Sequence, residues 1–121
     1  MLIKGYYTIA DTRQQEDGSV VFDVILNPDC EVYKGHFPEE PISPGVCNLQ
    51  MIRECAEIVA GCPLVMGNII LCRFLNLVTP VQTPRVSIRI KLDKGDSDYT
   101  LVSSIYNEDK EFVSLKAKLS W

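Results

Sequence analysis

Apolar and polar positions alternate along much of this chain with the two-residue period of half-buried strands. Val20, Phe22, Val24 and Leu26 share one face of a strand, and the Asp17-Gly18 turn signal stands just before them. In the run Val86 to Leu92, Val86, Ile88, Ile90 and Leu92 face one way, with Ser87, Arg89 and Lys91 opposed. Lys94-Gly95-Asp96 reads as a hairpin turn into a strand from Tyr99 to Tyr106. After a turn at Asn107 to Lys110, Val113, Leu115, Ala117, Leu119 and Trp121 form the apolar face of the last strand. Strands joined by short polar turns predict an antiparallel meander with one solvated face.

One segment breaks this rhythm. From Pro44 to about Ala60 the apolar residues cover most of a helical circumference, while Gln50, Arg53, Glu54 and Glu57 fall at i, i+3, i+4 and i+7. Ser43 suits an N-cap, Pro44 suits the first helical position, and Gly61 and Pro63 end the helix. So apolar a helix belongs inside the fold, wrapped by the sheet. The polar stripe reads as a solvated or interface face with internal ion pairs. The predicted order is two strands, a loop, one buried helix and four strands: an α+β domain over residues 1–121. That is the order of a hotdog fold, an antiparallel β-sheet wrapped around one long central α-helix, although periodicity leaves other α+β sheets open.

Composition narrows the class. At 121 residues with 46% apolar and 23% charged positions, the chain suits one globular domain rather than a disordered segment. A net charge of −4 argues against general nucleic-acid binding. The stretch from Cys55 to Cys72 is interrupted by Glu57, Gly61, Pro63 and Gly67, so no membrane span is expected. The N-terminus lacks a basic region followed by an apolar one, so no signal peptide is expected. The five cysteines, without a Cys-x-x-Cys pair and with one histidine in the chain, predict buried, reduced thiols in a cytosolic protein and no metal site.

Chemistry concentrates in Gly35-His36-Phe37-Pro38-Glu39-Glu40-Pro41-Ile42-Ser43-Pro44-Gly45, which holds the only histidine. Its prolines stiffen a loop that holds the imidazole just ahead of a helix N-terminus. The first N–H groups of that helix lack intrahelical partners and carry partial positive charge. Gly45 leaves its N–H open to a substrate carbonyl oxygen. A base beside an oxyanion-stabilising N–H is the minimum for removing a proton α to a thioester. On its own, a lone histidine reads first as a surface-loop residue without function, and the prolines and helix start shift that reading only modestly.

Gly-His-Phe-Pro-x-x-Pro-Ile-x-Pro-Gly resembles the signature of the FabA/FabZ-type 3-hydroxyacyl-(acyl-carrier-protein) dehydratases, which have the hotdog fold. Tyr33, Arg73-Phe74 and Val78-Thr79-Pro80 stand where that family has an aromatic, an Arg-Phe pair and a proline-containing turn. The N-terminal helix common in the FabZ branch is not expected here, since strand-like alternation sets in almost at once. The resemblance implies that His36 removes the α-proton and that Gly45 donates to the thioester oxygen. It implies contacts from Phe37, Pro44, Val46 and Glu54 to the substrate. It also implies trans-2-enoyl products, no cofactor, and a homodimer or higher oligomer, or a heteromer with a related subunit.

The family's carboxylate falls fourteen residues after its histidine, where this chain has Gln50. An amide cannot donate a proton to a departing hydroxyl, although it can hydrogen-bond and orient one. Three accounts stand open: His36 acts alone, Glu54 substitutes from the next helical turn, or the chain binds acyl groups as the non-catalytic part of a heteromeric dehydratase. A hotdog thioesterase with Glu54 activating water is a further rival. Between Ile58 and Leu92 there is no Asp or Glu. Arg73, Arg85, Arg89 and Lys91 in that stretch form a candidate docking arc for an acidic acyl carrier protein.

Overall fold

The computed structural model describes residues 5–30, 45–108 and 110–121. The strands and helix follow the expected order. Strands β1 (Tyr7–Gln14) and β2 (Val20–Leu26) precede helix α1 (Gly45–Ala60). Strands β3 (Val65–Phe74), β4 (Arg85–Lys94), β5 (Tyr99–Asn107) and β6 (Lys110–Ser120) follow it. All six strands join one antiparallel sheet in the order β1-β2-β4-β5-β6-β3. This is the hotdog arrangement of one sheet around one helix.

Local sequence explains the β4-β5-β6 meander. Lys94 pairs with Tyr99 and Asn107 with Lys110, so both turns are tight, and Glu108 takes a left-handed φ of 50° in the second. Long-range pairing supplies the rest. β2 pairs with β4 although α1 and β3 lie between them in sequence, matching Phe22 to Ile88 and Val24 to Val86. β3 skips β4 and β5 to pair with β6, with register shifts between Met66 and Leu71. That placement makes β3 one sheet edge and β1 the other.

The core lies between the helix and the inward face of the sheet. Ile52, Cys55, Ala56, Ile88, Ile90, Leu101, Ile105, Ala117 and Leu119 are completely buried. Each large aliphatic among them stabilises the fold by about 1.5–3 kcal/mol through removal from water. Gly61, at φ 74°, closes the helix with its N–H on the Glu57 carbonyl, as the sequence predicted.

Trp121 departs from expectation. It is half exposed rather than part of the apolar face of β6. Its ring meets Tyr99 edge-on at 5.2 Å, and the Lys94 ammonium lies 5.5 Å above it. The cysteines are all free; Cys30, Cys47 and Cys55 are buried, whereas Cys62 and Cys72 are half-buried. No helix among the described residues is long and apolar enough to cross a membrane.

Candidate active site

The expected base and two of its neighbours, His36, Phe37 and Pro44, lie outside the described residues. The site is therefore built from the helix that follows them. Gly45 opens α1, where unpaired N–H groups and the helix dipole favour a developing negative charge. The structure adds a packing reason for glycine at this position. A Cβ on Gly45 would stand 3.0 Å from Cζ of Phe74 and 3.1 Å from its Cε1. The end of β3 therefore packs its ring on the bare helix start, and Phe74 remains half exposed beside it. Val46, expected to contact substrate, is 76% exposed and contributes little to the core.

The polar stripe is not uniformly solvated, which corrects the expectation for Glu54. The residue is buried, only 8% exposed. Tyr7, from the start of β1, donates its hydroxyl to Glu54 Oε1 at 2.7 Å. Gln50, one helical turn earlier, donates Nε2 to Glu54 Oε2 at 3.0 Å. Burial first, and then the bond to Glu54, raise the Tyr7 hydroxyl well above the ordinary phenol range, so it stays a donor. Burial pushes the neighbouring Cys55 thiol up to about 12, with the Glu54 charge adding to it, which leaves that thiol unreactive.

The rest of the stripe does structural work. Arg53 donates Nη1 to the Leu64 carbonyl at 3.1 Å and lies 3.7 Å from Glu57. Glu57 in turn accepts the Leu64 N–H at 2.8 Å. These bonds tie the helix end to the entry of β3, which fits the expected internal ion pair. Beside them a groove of about 420 Å³ opens between β1 and the later half of α1, lined by Tyr7, Ile9, Glu54, Glu57, Ile58, Cys62 and Pro63. Glu54 thus joins Gln50 on one side to this groove on the other.

Tyr7 went unnoticed in the sequence. Its only local signal is the Tyr6-Tyr7 pair at a strand start. Tyr6 makes the parallel contact, donating its hydroxyl to Asn48 Oδ1 at 3.0 Å. Two successive tyrosines thereby pin β1 to two buried polar positions of the helix.

The basic arc is more dispersed than a linear reading suggests. In the sheet register Arg89 stands opposite Ser104, Ser104 opposite Ser114, and Ser114 opposite Arg73. Arg73 and Arg89 thus share a row but stand three strand spacings apart, about 14 Å. Arg85, Arg89 and Lys91 alternate with the buried Val86, Ile88 and Ile90, and so occupy the face of β4 away from the helix. Arg89 is already paired with Asp17. Bonds from Ser19, and then this arginine, hold the Asp17 carboxyl well below the usual range. Arg85 has no ion-pair partner among the described residues.

Comparison with known proteins agrees with this architecture. Residues 12–116 match the ApeI-like family, described as ApeI dehydratase. A chain of the dehydratase heterocomplex ApeI:P from Xenorhabdus doucetiae superposes with a TM-score of 0.73 at 19% identity, covering 94% of this chain and 97% of that one. An uncharacterized protein from Erwinia carotovora subsp. atroseptica superposes with a TM-score of 0.66 at 23% identity, covering 93% of this chain and 92% of that one. At such identities these structures speak for the fold alone. No curated protein matches the sequence.

Proposed function

We propose that this chain, which belongs to the ApeI-like dehydratase family, removes water from 3-hydroxyacyl thioesters to give trans-2-enoyl thioesters. The family match supports dehydratase chemistry in general; the FabA/FabZ-type substrate and residue roles are our reading. The observation that carries it is that the His36 motif leads in sequence directly to Gly45, which starts the one helix among the described residues. His36 takes the α-proton, and the C–H electron pair becomes the new double bond. The C3–O bond breaks, and the oxygen leaves as water after receiving a proton from the imidazolium. Charge that develops on the thioester oxygen is met by the Gly45 N–H at the positive end of the helix. The test is conversion of a 3-hydroxyacyl thioester to the conjugated enoyl product, followed by ultraviolet absorbance and mass spectrometry. Free thiol without enoyl product would indicate a thioesterase instead.

A second reading has its own support: the chain as the acyl-binding, non-catalytic member of a heteromeric dehydratase. Gln50 cannot act as an acid, and the ApeI:P assembly is a heterocomplex. Under either reading we place a partner hotdog chain on the β3 edge. Ile69, Ile70, Leu71, Phe74, Leu75 and Leu77 there are each more than 40% exposed, and a long apolar edge strand invites pairing. Ile70→Lys is expected to convert the assembly into 13.6 kDa monomers in size-exclusion chromatography with light scattering. A wild-type chain that already elutes at that mass, alone and with a related subunit, would remove this interface.

An acidic acyl carrier is the proposed donor of substrate, with Arg85 its best basic contact because Asp17 already neutralises Arg89. Arg85→Glu is expected to raise KM severalfold for carrier-linked substrate and to leave a short thioester mimic unaffected. Equal effects on both substrates would count against docking at this position.

A further inference from the structure

The Gln50–Glu54–Tyr7 chain carries an inference about how the glutamine works. A glutamine amide is nearly symmetric in shape, so a free one presents its donor and its acceptor ends equally. A carboxylate only accepts, and so requires the amide to turn its nitrogen inward. Glu54 is held in turn by the Tyr7 hydroxyl at 2.7 Å. Burying a carboxylate to 8% exposure is costly, and an apolar side chain would fill the same space without that cost. The charge therefore calls for a role, and its contact with Gln50 at 3.0 Å supplies one.

We infer that Glu54 is a positioning residue: it holds Gln50 Nε2 toward itself, leaving Oε1 as the group that accepts a hydrogen bond from the 3-hydroxyl of a bound acyl thioester. This rests on the acyl-thioester reading proposed above. Its chemical consequence is specific. A hydroxyl that donates to Oε1 keeps its oxygen lone pairs for the proton that must arrive before water leaves. A flipped amide would instead donate Nε2–H to those lone pairs and compete with that proton. The amide thus orients the leaving group without acting as an acid, and it recognises the hydroxyl by its hydrogen.

Binding tests this without turnover. In proteins carrying His36→Ala, dissociation constants are measured for a 3-hydroxyacyl thioester and for the 3-deoxy thioester of equal length. The parent is expected to prefer the hydroxylated ligand about tenfold, the effect of one hydrogen bond. Gln50→Leu should bring that ratio close to one while the deoxy ligand binds unchanged. Glu54→Gln lets the amide turn, so it should newly favour the 3-oxo thioester, whose oxygen only accepts, over the deoxy ligand about tenfold, a preference the parent lacks; adding Gln50→Leu should remove it. Tyr7→Phe, which removes the hydroxyl bond to Glu54 Oε1, should give the same 3-oxo preference at about threefold and carries the test if Glu54→Gln does not fold. A Glu54→Gln protein that still binds the 3-oxo and deoxy thioesters equally, or a parent that already prefers the 3-oxo one, would overturn the positioning role alone. Failure of the parent to bind either thioester would overturn the acyl-thioester reading and this inference with it.

Discussion

Replacing His36 by alanine is expected to lower kcat for a 3-hydroxyacyl thioester by at least about 10²-fold, and up to about 10⁴-fold, the usual worth of a positioned acid–base group. The α-hydrogen of a thioester leaves at neutral pH only if a base is in place while the enolate-like charge forms. His36 is the one histidine of the chain, and in the proposed reaction it also returns the proton that lets water depart. KM should change little, because the imidazole acts on the reacting atoms rather than on the length of the acyl chain. The wild-type rate should rise with pH as the imidazolium gives up its proton, and the alanine variant should lose that rise. The readout is the initial rate of enoyl formation at several pH values, with the melting temperature as a check on folding. A variant that keeps both rate and pH dependence would show that another group is the base.

Gln50→Glu is the second large effect, in the opposite direction. The new carboxyl would stand where Gln50 Nε2 now lies, 3.0 Å from Glu54 Oε2. Two carboxylates at that separation do not both ionise readily, so the pair retains a proton. A retained proton is what a general acid needs, and the expected gain in kcat is about tenfold to a hundredfold. The same proton makes the folded state bind more protons than the unfolded chain at pH values above the ordinary glutamate pKa of about 4.3. Stability therefore falls as pH rises through that region, while in acid the variant and the wild type should melt alike. Adding Glu54→Gln should abolish the rate gain and the extra pH dependence together. A slower Gln50→Glu enzyme would mean that the amide's acceptor oxygen matters more than an acid at that position.

The order of elements was legible because each signal was local. Val86, Ile88 and Ile90 alternate with Ser87 and Arg89, and the buried side of β4 follows directly from that period. The helix could be recognised by an apolar surface too broad for any solvent-facing element, and its end by a glycine that adopts φ 74°. Trp121 was misassigned because alternation continues through the last residue of the chain, although the strand ends at Ser120 and leaves that ring beyond the helix-facing core.

The site was legible only in its types. The His36 motif, Gly45 and the glutamine in place of an acid are facts of order along the chain, and so is the grouping of Gln50 with Glu54, which needs only the helical repeat. That Glu54 is buried, that Tyr7 from a strand 47 positions away holds it, and that Phe74 covers Gly45 could not be read from spacing. Each depends on which strand lies beside the helix, and that is set by the pairing of β2 with β4 and of β3 with β6. Local patterning states which face of an element avoids water, because burial of one residue depends on its own chemistry. Which two faces meet is a property of the packed whole, where long-range contacts must outweigh the entropy of closing the chain between them.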